Sequence, residues 1–198
     1  LTWNCEGGIK QTAYRIVASA DGVVFWDSGK VQSDAMRATY PQALMSRQRI
    51  EWSITLWDEN DVSGEAADAF FEMGLLHPSD WSARWISGNY SVNPLKRYPV
   101  DCFKKEFDTA DVKKARMYVS ACGLYELVLN GERVGDFVLA PGHTDYRKRV
   151  QCQTYDVTAL LKNGENVMTA ELADGWYRGS CGAWGLKNQY GKQTKLII

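Results

Sequence analysis

Alternation of apolar and polar residues with a period of two constrains this chain more than any other feature. Ile50, Trp52, Ile54 and Leu56 alternate with Glu51, Ser53, Thr55 and Trp57, the pattern of a strand that buries one face. Tyr14, Ile16 and Ala18 alternate with Arg15 and Val17 in the same way. Asp21-Gly22 separates this run from Val23-Val24-Phe25-Trp26, so residues 13–27 are predicted to form a hairpin. A further strand is expected at 66–73, carrying Phe70, Phe71 and Met73. Several short strands with polar turns point to a small β-sandwich.

The pattern restarts in the second half. Phe103 and Phe107 bracket charged residues, and Met117, Val119 and Ala121 alternate. Tyr125 to Leu129 leads into Asn130-Gly131 and then Glu132 to Gly135, a strong hairpin signal because both turn residues tolerate positive φ. Residues 155–161 are the one expected helical turn, ahead of Asn163-Gly164 and a strand from Asn166 to Leu172. Between the halves, Leu75 to Asp80 holds a proline and a Ser-Asp pair, flanked by leucines and Trp81. It reads as a short ordered linker dividing domains 1–76 and 77–198. The expected fold class is all-β: two β-sandwich domains with little helix.

Bulk properties exclude several classes. A chain of 198 residues with 45% hydrophobic residues can bury real cores. A formal net charge of −1 leaves no basic footprint for nucleic acid or an anionic membrane. Apolar runs are strand-sized, far below the ~18 residues of a membrane span. The first residues form neither a charged n-region nor an apolar h-region, and the chain ends in Lys195-Leu196-Ile197-Ile198, so it reads as a piece of a longer protein. The five cysteines have no CxxC spacing, which removes zinc ribbons and thioredoxin-like motifs. Cys102, Cys122 and Cys152 fall in strand-like runs and are expected as buried thiols, with one disulfide left open.

Little catalytic chemistry is visible. P-loop, GxGxxG, HExxH and GxSxG motifs are all absent. The two histidines, His77 and His143, are too few for a His-rich metal site. The 24 acidic residues include no pair that stands out for glycoside chemistry. One cluster does stand out: Asp174-Gly175-Trp176-Tyr177-Arg178-Gly179, with Trp184 and Tyr190 following. Its glycines imply a loop that projects the intervening side chains. Asp174 and Arg178 could bind vicinal hydroxyls, while Trp176, Tyr177 and Trp184 could lie against a sugar ring. A domain interface or a cover for the core end are the competing readings. Asp145, Tyr146 and Arg147, after the Pro141-Gly142 turn, share this character, with an Asp-Arg pair holding the loop as the plainer explanation.

At these segments the chain resembles the N-terminal region of glycoside hydrolase family 78, the bacterial α-L-rhamnosidases. The resemblance is carried in order by Gln11-Thr12-Ala13-Tyr14, Trp26 to Val31, Trp81 to Ile86, Gly123 to Leu127 and Asn130 to Gly135. It continues through Leu139 to Gly142 with Thr144 to Arg147, then Gln153 to Thr158, and Asp174 to Gly179. His143 and Cys152 depart from the pattern, which more often has aromatics there. The resemblance implies a fibronectin-III-like domain followed by a jelly-roll sandwich akin to carbohydrate-binding modules. It also implies a separate downstream helical toroid where two carboxylates act by inversion, and a rhamnosylated glycan or glycoside as the partner. No cofactor is expected; calcium enters only because some relatives carry a calcium-dependent rhamnose-binding module, whose ligands do not map onto this sequence. A periplasmic or secreted location is favoured over the cytoplasm.

Three functions compete. The domains brace a downstream catalytic domain and shape its substrate site, the jelly roll binds L-rhamnose in its own right, or the chain hydrolyses a glycoside alone. Two small sandwiches without an evident carboxylate pair argue against the third, so this chain by itself is expected to be inactive and to contribute no catalytic residue.

Overall fold

Asp21 and Gly22 take positive φ values of 49° and 79° and turn β1 (Ala13–Ala20) into β2 (Val23–Asp27). This is the expected hairpin, seen in a computed structural model that describes residues 1–198 except Gly8 and Ala183. β3 (Val31–Gln32) pairs the start of β1, and β4 (Arg49–Trp57) runs antiparallel along nearly all of it. β5 (Ala67–Glu72) pairs β4, giving the order β2-β1-β4-β5 with β3 beside β1. The register sets Ile16 opposite Ile54 and Ala18 opposite Trp52. Ile16, Ala18, Ile50 and Ile54 are buried, whereas Trp52 and Leu56 are half-buried. A smaller ladder joins residues 1–3 to 36–38 through the Thr2–Arg37 bridge.

The motifs of this first unit, Leu1–Asp80, work as clips. Gln11 is buried, accepts a hydrogen bond from the Trp3 indole at 2.9 Å, and donates to the carbonyls of Ser33 and Ala35. Ser28 binds both backbone groups of Ile16, accepting from its N–H and donating its own N–H to its carbonyl. Arg15 grips Asp27 through two bonds on the exposed side, holding that carboxyl down at about 2.

The second unit, Trp81–Ile198, contains two sheets. β6 (Asp101–Thr109), β7 (Arg116–Cys122), β8 (Leu124–Leu129), β9 (Glu132–Arg133), β10 (Cys152–Asp156), β11 (Gly164–Ala173) and β12 (Lys195–Ile197) make them up. Their orders are β10-β7-β12 and β6-β11-β8-β9, with every pairing antiparallel. Val119 and Ala121 from one sheet meet Leu127, Leu129, Ala170 and Leu172 from the other in a single core. Val119, Leu127 and Leu129 therefore lie where the alternation placed them. Asn130-Gly131 turns β8 into β9 with φ of 55° and 88°. Asn130 also bonds Asn166, a fully buried amide that ties Thr109, Lys162 and Gly164 together.

Two local expectations need correction. Residues 155–161 hold the end of β10 and a 3-10 turn at Thr158–Leu160; the one α-helical turn among the described residues, α1 (Gly175–Arg178), lies where a loop was expected. Gly175, at φ of 48°, ends β11, and the Arg178 N–H reaches back to the Asp174 carbonyl at 3.2 Å to close the turn. The cysteines are not buried thiols. Cys102 and Cys152 are exposed, Cys122 is half-buried, and all five are unbridged. A strand in a sheet with one wet face exposes every second residue, so strand membership alone did not imply burial.

Candidate functional site

The chemistry-bearing residues of the second unit gather around α1. Arg178 is only 4% exposed. Its Nε donates to Asp174 Oδ1 at 2.6 Å and its Nη1 to the Tyr90 hydroxyl at 3.0 Å. Tyr90 passes the chain on to Asp101 at 3.2 Å, which also accepts from the buried Thr194 hydroxyl at 3.2 Å. The guanidinium sits 5.1 Å from the Tyr98 ring centre, and Tyr98 stacks on Tyr90 at 4.8 Å. Burial opposes the charge on Arg178, but the bonds to Tyr90 and Asp174 outweigh it and hold the group protonated. The sequence cluster offered Arg178 as a projecting handle; it is instead an internal tie. Sequence reasoning missed Tyr90 and Tyr98 because they lie some eighty residues away in an irregular stretch without periodicity.

Beside this tie lies an aromatic face. Tyr146 contacts Tyr177 and Tyr190 at 5.3 and 5.1 Å between centroids. His143 lies 5.4 Å from Trp176 and within 6.5 Å of Tyr190. Geometries are edge-on or tilted, as ring quadrupoles favour. Tyr146 donates to the Gly142 carbonyl at 3.2 Å, and burial pushes its pKa up to about 12. Tyr177 is raised by the same cause. The backbone passes so close to Tyr177 that a Cβ on Gly191 would lie 2.3 Å from its hydroxyl. Trp176, Tyr177 and Tyr190 remain half-buried, which leaves part of this face open.

The two sequence clusters therefore pack into one group, joined through Tyr146–Tyr177 and His143–Trp176. Asp145 is spent on Arg147 through bonds of 2.9 and 3.2 Å, which keep its carboxyl below the ordinary range. This is the loop-holding pair. Trp184 does not join: it is 90% exposed in the turn between the bridged residues Cys181 and Leu186. His143 departs from the family pattern yet still packs among the rings, a role that one isolated histidine in a sequence does not signal.

The arrangement suits packing better than hydroxyl recognition. A sugar site needs ring faces together with free directional donors and acceptors, and here the Asp and Arg of both clusters are paired to one another. A groove of about 600 Å³ lies in the first unit, with Trp3, Trp52 and Trp57 among its walls. Its Glu6, Glu65 and Asp68 are exposed, whereas a glycosidase acid is tuned by an apolar pocket. Among the described residues no group of three or more His, Cys, Asp or Glu could hold a metal ion.

Comparison with known proteins agrees across both units. Residues 1–77 match the family described as Rha78A-like, N-terminal immunoglobulin domain, and residues 110–198 match the Alpha-L-rhamnosidase N-terminal domain. An α-L-rhamnosidase of Formosa agariphila is 36% identical over 193 residues, covering 89% of this chain and 21% of the relative. One from Alteromonas sp. is 35% identical, covering 86% and 20%. The crystal structure of native α-L-rhamnosidase from Aspergillus terreus superposes with a TM-score of 0.84 at 30% identity, covering 96% of this chain and 23% of that one. The structure of α-L-rhamnosidase from Dictyoglumus thermophilum gives 0.80 at 30% identity, covering 95% and 23%. The chain thus spans about a fifth of the length of the curated relatives it matches.

Proposed function

Because the chain belongs to the α-L-rhamnosidase family, whose N-terminal domains it comprises, we propose that its two units are the non-catalytic N-terminal part of an enzyme that hydrolyses terminal α-L-rhamnosides. The aromatic face of the second unit braces the catalytic part and shapes the rim of its substrate site. The observation that carries this reading is the internal pairing of Arg178 and Asp174 beneath half-buried Trp176 and Tyr177. Pairing removes the polar groups that would hold sugar hydroxyls, while the open rings keep the large contact area that dominates protein interfaces. The immobilised Arg178 tie makes the surface rigid, so little side-chain entropy is lost on docking.

Cleavage of a glycoside needs an acid and a base placed across one bond, and of the carboxylates lining the first-unit groove Glu6, Glu65 and Asp68 are exposed. The test is to express the complete reading frame and the 198-residue chain separately and assay both with an aryl α-L-rhamnoside. Release of the chromophore by the complete protein alone is expected. Turnover by the purified 198-residue chain, abolished by changing one of its own acids, would overturn the reading.

A further inference from the structure

A cleft of about 240 Å³ opens beside α1, between residues 94–98 and residues 179–188. Its charges do not balance. Lys96, Arg97, Arg178 and Lys187 line it with a single carboxylate, Asp174, and that carboxylate is taken by Arg178. Lys96, Arg97 and Lys187 are exposed and have no acidic partner among the described residues. The chain as a whole carries a net charge of −1, so this concentration of cations does not follow from a basic composition. The walls are built rather than incidental. Asn188 donates its side-chain amide to the Pro94 carbonyl at 3.2 Å and its backbone N–H to the Arg178 carbonyl at 3.0 Å. Tyr98, held against Tyr90, adds a half-buried ring to the lining.

Cations gathered without a counter-charge form a site for an anion, and guanidinium and ammonium groups favour the oxygens of carboxylate or sulfate. The cleft is smaller than the roughly 300–1,000 Å³ of most ligand pockets, so it fits one charged group rather than a run of sugar units. We propose that it binds a small oxyanion, a carboxylate or sulfate, either free or carried on a saccharide. The inference stands apart from the bracing role, since Lys96, Arg97 and Lys187 take no part in the aromatic face.

The test is a titration of the isotope-labelled 198-residue chain at low ionic strength with D-glucuronate, inorganic sulfate and L-rhamnose, following backbone amide resonances. Both anions should shift the amides of residues 94–98 and 187–188 saturably, and neutral L-rhamnose should not. With acetate added as a sugar-free carboxylate, tighter binding of glucuronate than of acetate assigns the site to a sugar-borne group, and equal binding of the two to a free oxyanion. The double variant Lys96→Ala/Lys187→Ala removes only exposed side chains, so it should keep the melting temperature while weakening binding roughly tenfold or more. Raising salt to shorten the screening length to about 8 Å should weaken it as well. Absence of saturable shifts with either anion, or unchanged affinity in the double variant, would overturn the proposal.

Discussion

Arg178 shows how one side chain can set the character of a surface. It is buried, charged and satisfied by Asp174 and Tyr90. Removing one partner of a buried pair leaves the other uncompensated, which costs about 3–5 kcal/mol when both are deeply buried. Asp174 keeps about a third of its side chain exposed, so Arg178→Ala should cost about 3 kcal/mol and lower the melting temperature of the second unit by roughly 10 °C. Arg178→Lys should recover only part of this, because a lysine cannot reproduce the planar fork. Calorimetry of the three proteins checks both statements; an unchanged melting temperature in the alanine variant would show the tie to be dispensable. The tyrosines give a pH prediction. Burial raises Tyr146 to about 12 and also raises Tyr125 and Tyr177. Below the unfolded value of about 10 these groups are protonated in both states and contribute no pH dependence. Above it the unfolded chain releases protons that the folded chain retains, so stability should fall as pH rises from 10 towards 12. Tyrosinate absorbance should then titrate in two stages, exposed rings first and these three with unfolding. A single transition near pH 10 with the fold intact would contradict their burial.

At the scale of elements, period-two alternation was legible because each sheet buries one face, and that asymmetry is written residue by residue. Ile16, Ile50 and Ile54 in the first unit, and Val119, Leu127 and Leu129 in the second, lie where alternation puts them. The Asp21-Gly22 and Asn130-Gly131 turns were equally legible, since positive φ selects those residue types. Tertiary ties were not legible. Asn166 joins Asn130 across 36 residues and Arg178 joins Tyr90 across 88, and no local pattern marks either partner. The α1 turn was missed for a related reason: the signals around Gly175 and Gly179 suit a loop, and the Asp174–Arg178 pair that fastens the turn depends on its burial. Gly123, in the connection between β7 and β8, tests the account of backbone packing. A Cβ there would lie 2.5 Å from the Ala173 carbonyl oxygen, whereas at Gly131 it would meet open space. Gly131→Ala should cost only the left-handed penalty of about 1–2 kcal/mol. Gly123→Ala should add about 1–3 kcal/mol of overpacking against backbone that cannot swing aside. Denaturant melts of the two variants rank them, and equal destabilisation would refute the close approach.

At the scale of the whole molecule, the proposed role of the two units is to supply rigid surface rather than a reaction centre. Internal clips fix the first unit, a single two-sheet core fixes the second, and Asp174 and Arg178 at α1 are paired to each other. Such a design fits a partner domain that needs a firm wall, which is the central claim. Trp176→Ala tests it most directly, measured in both the 198-residue chain and the complete reading frame. Loss of a fully buried Trp costs about 3–5 kcal/mol. A half-exposed Trp176 that serves a docking surface predicts a nearly unchanged melting temperature for the 198-residue chain, together with a clear loss of rhamnosidase activity or thermal stability in the complete protein. A 198-residue chain that unfolds on this change, with the complete protein losing no more than that, would contradict the claim and make Trp176 part of the core.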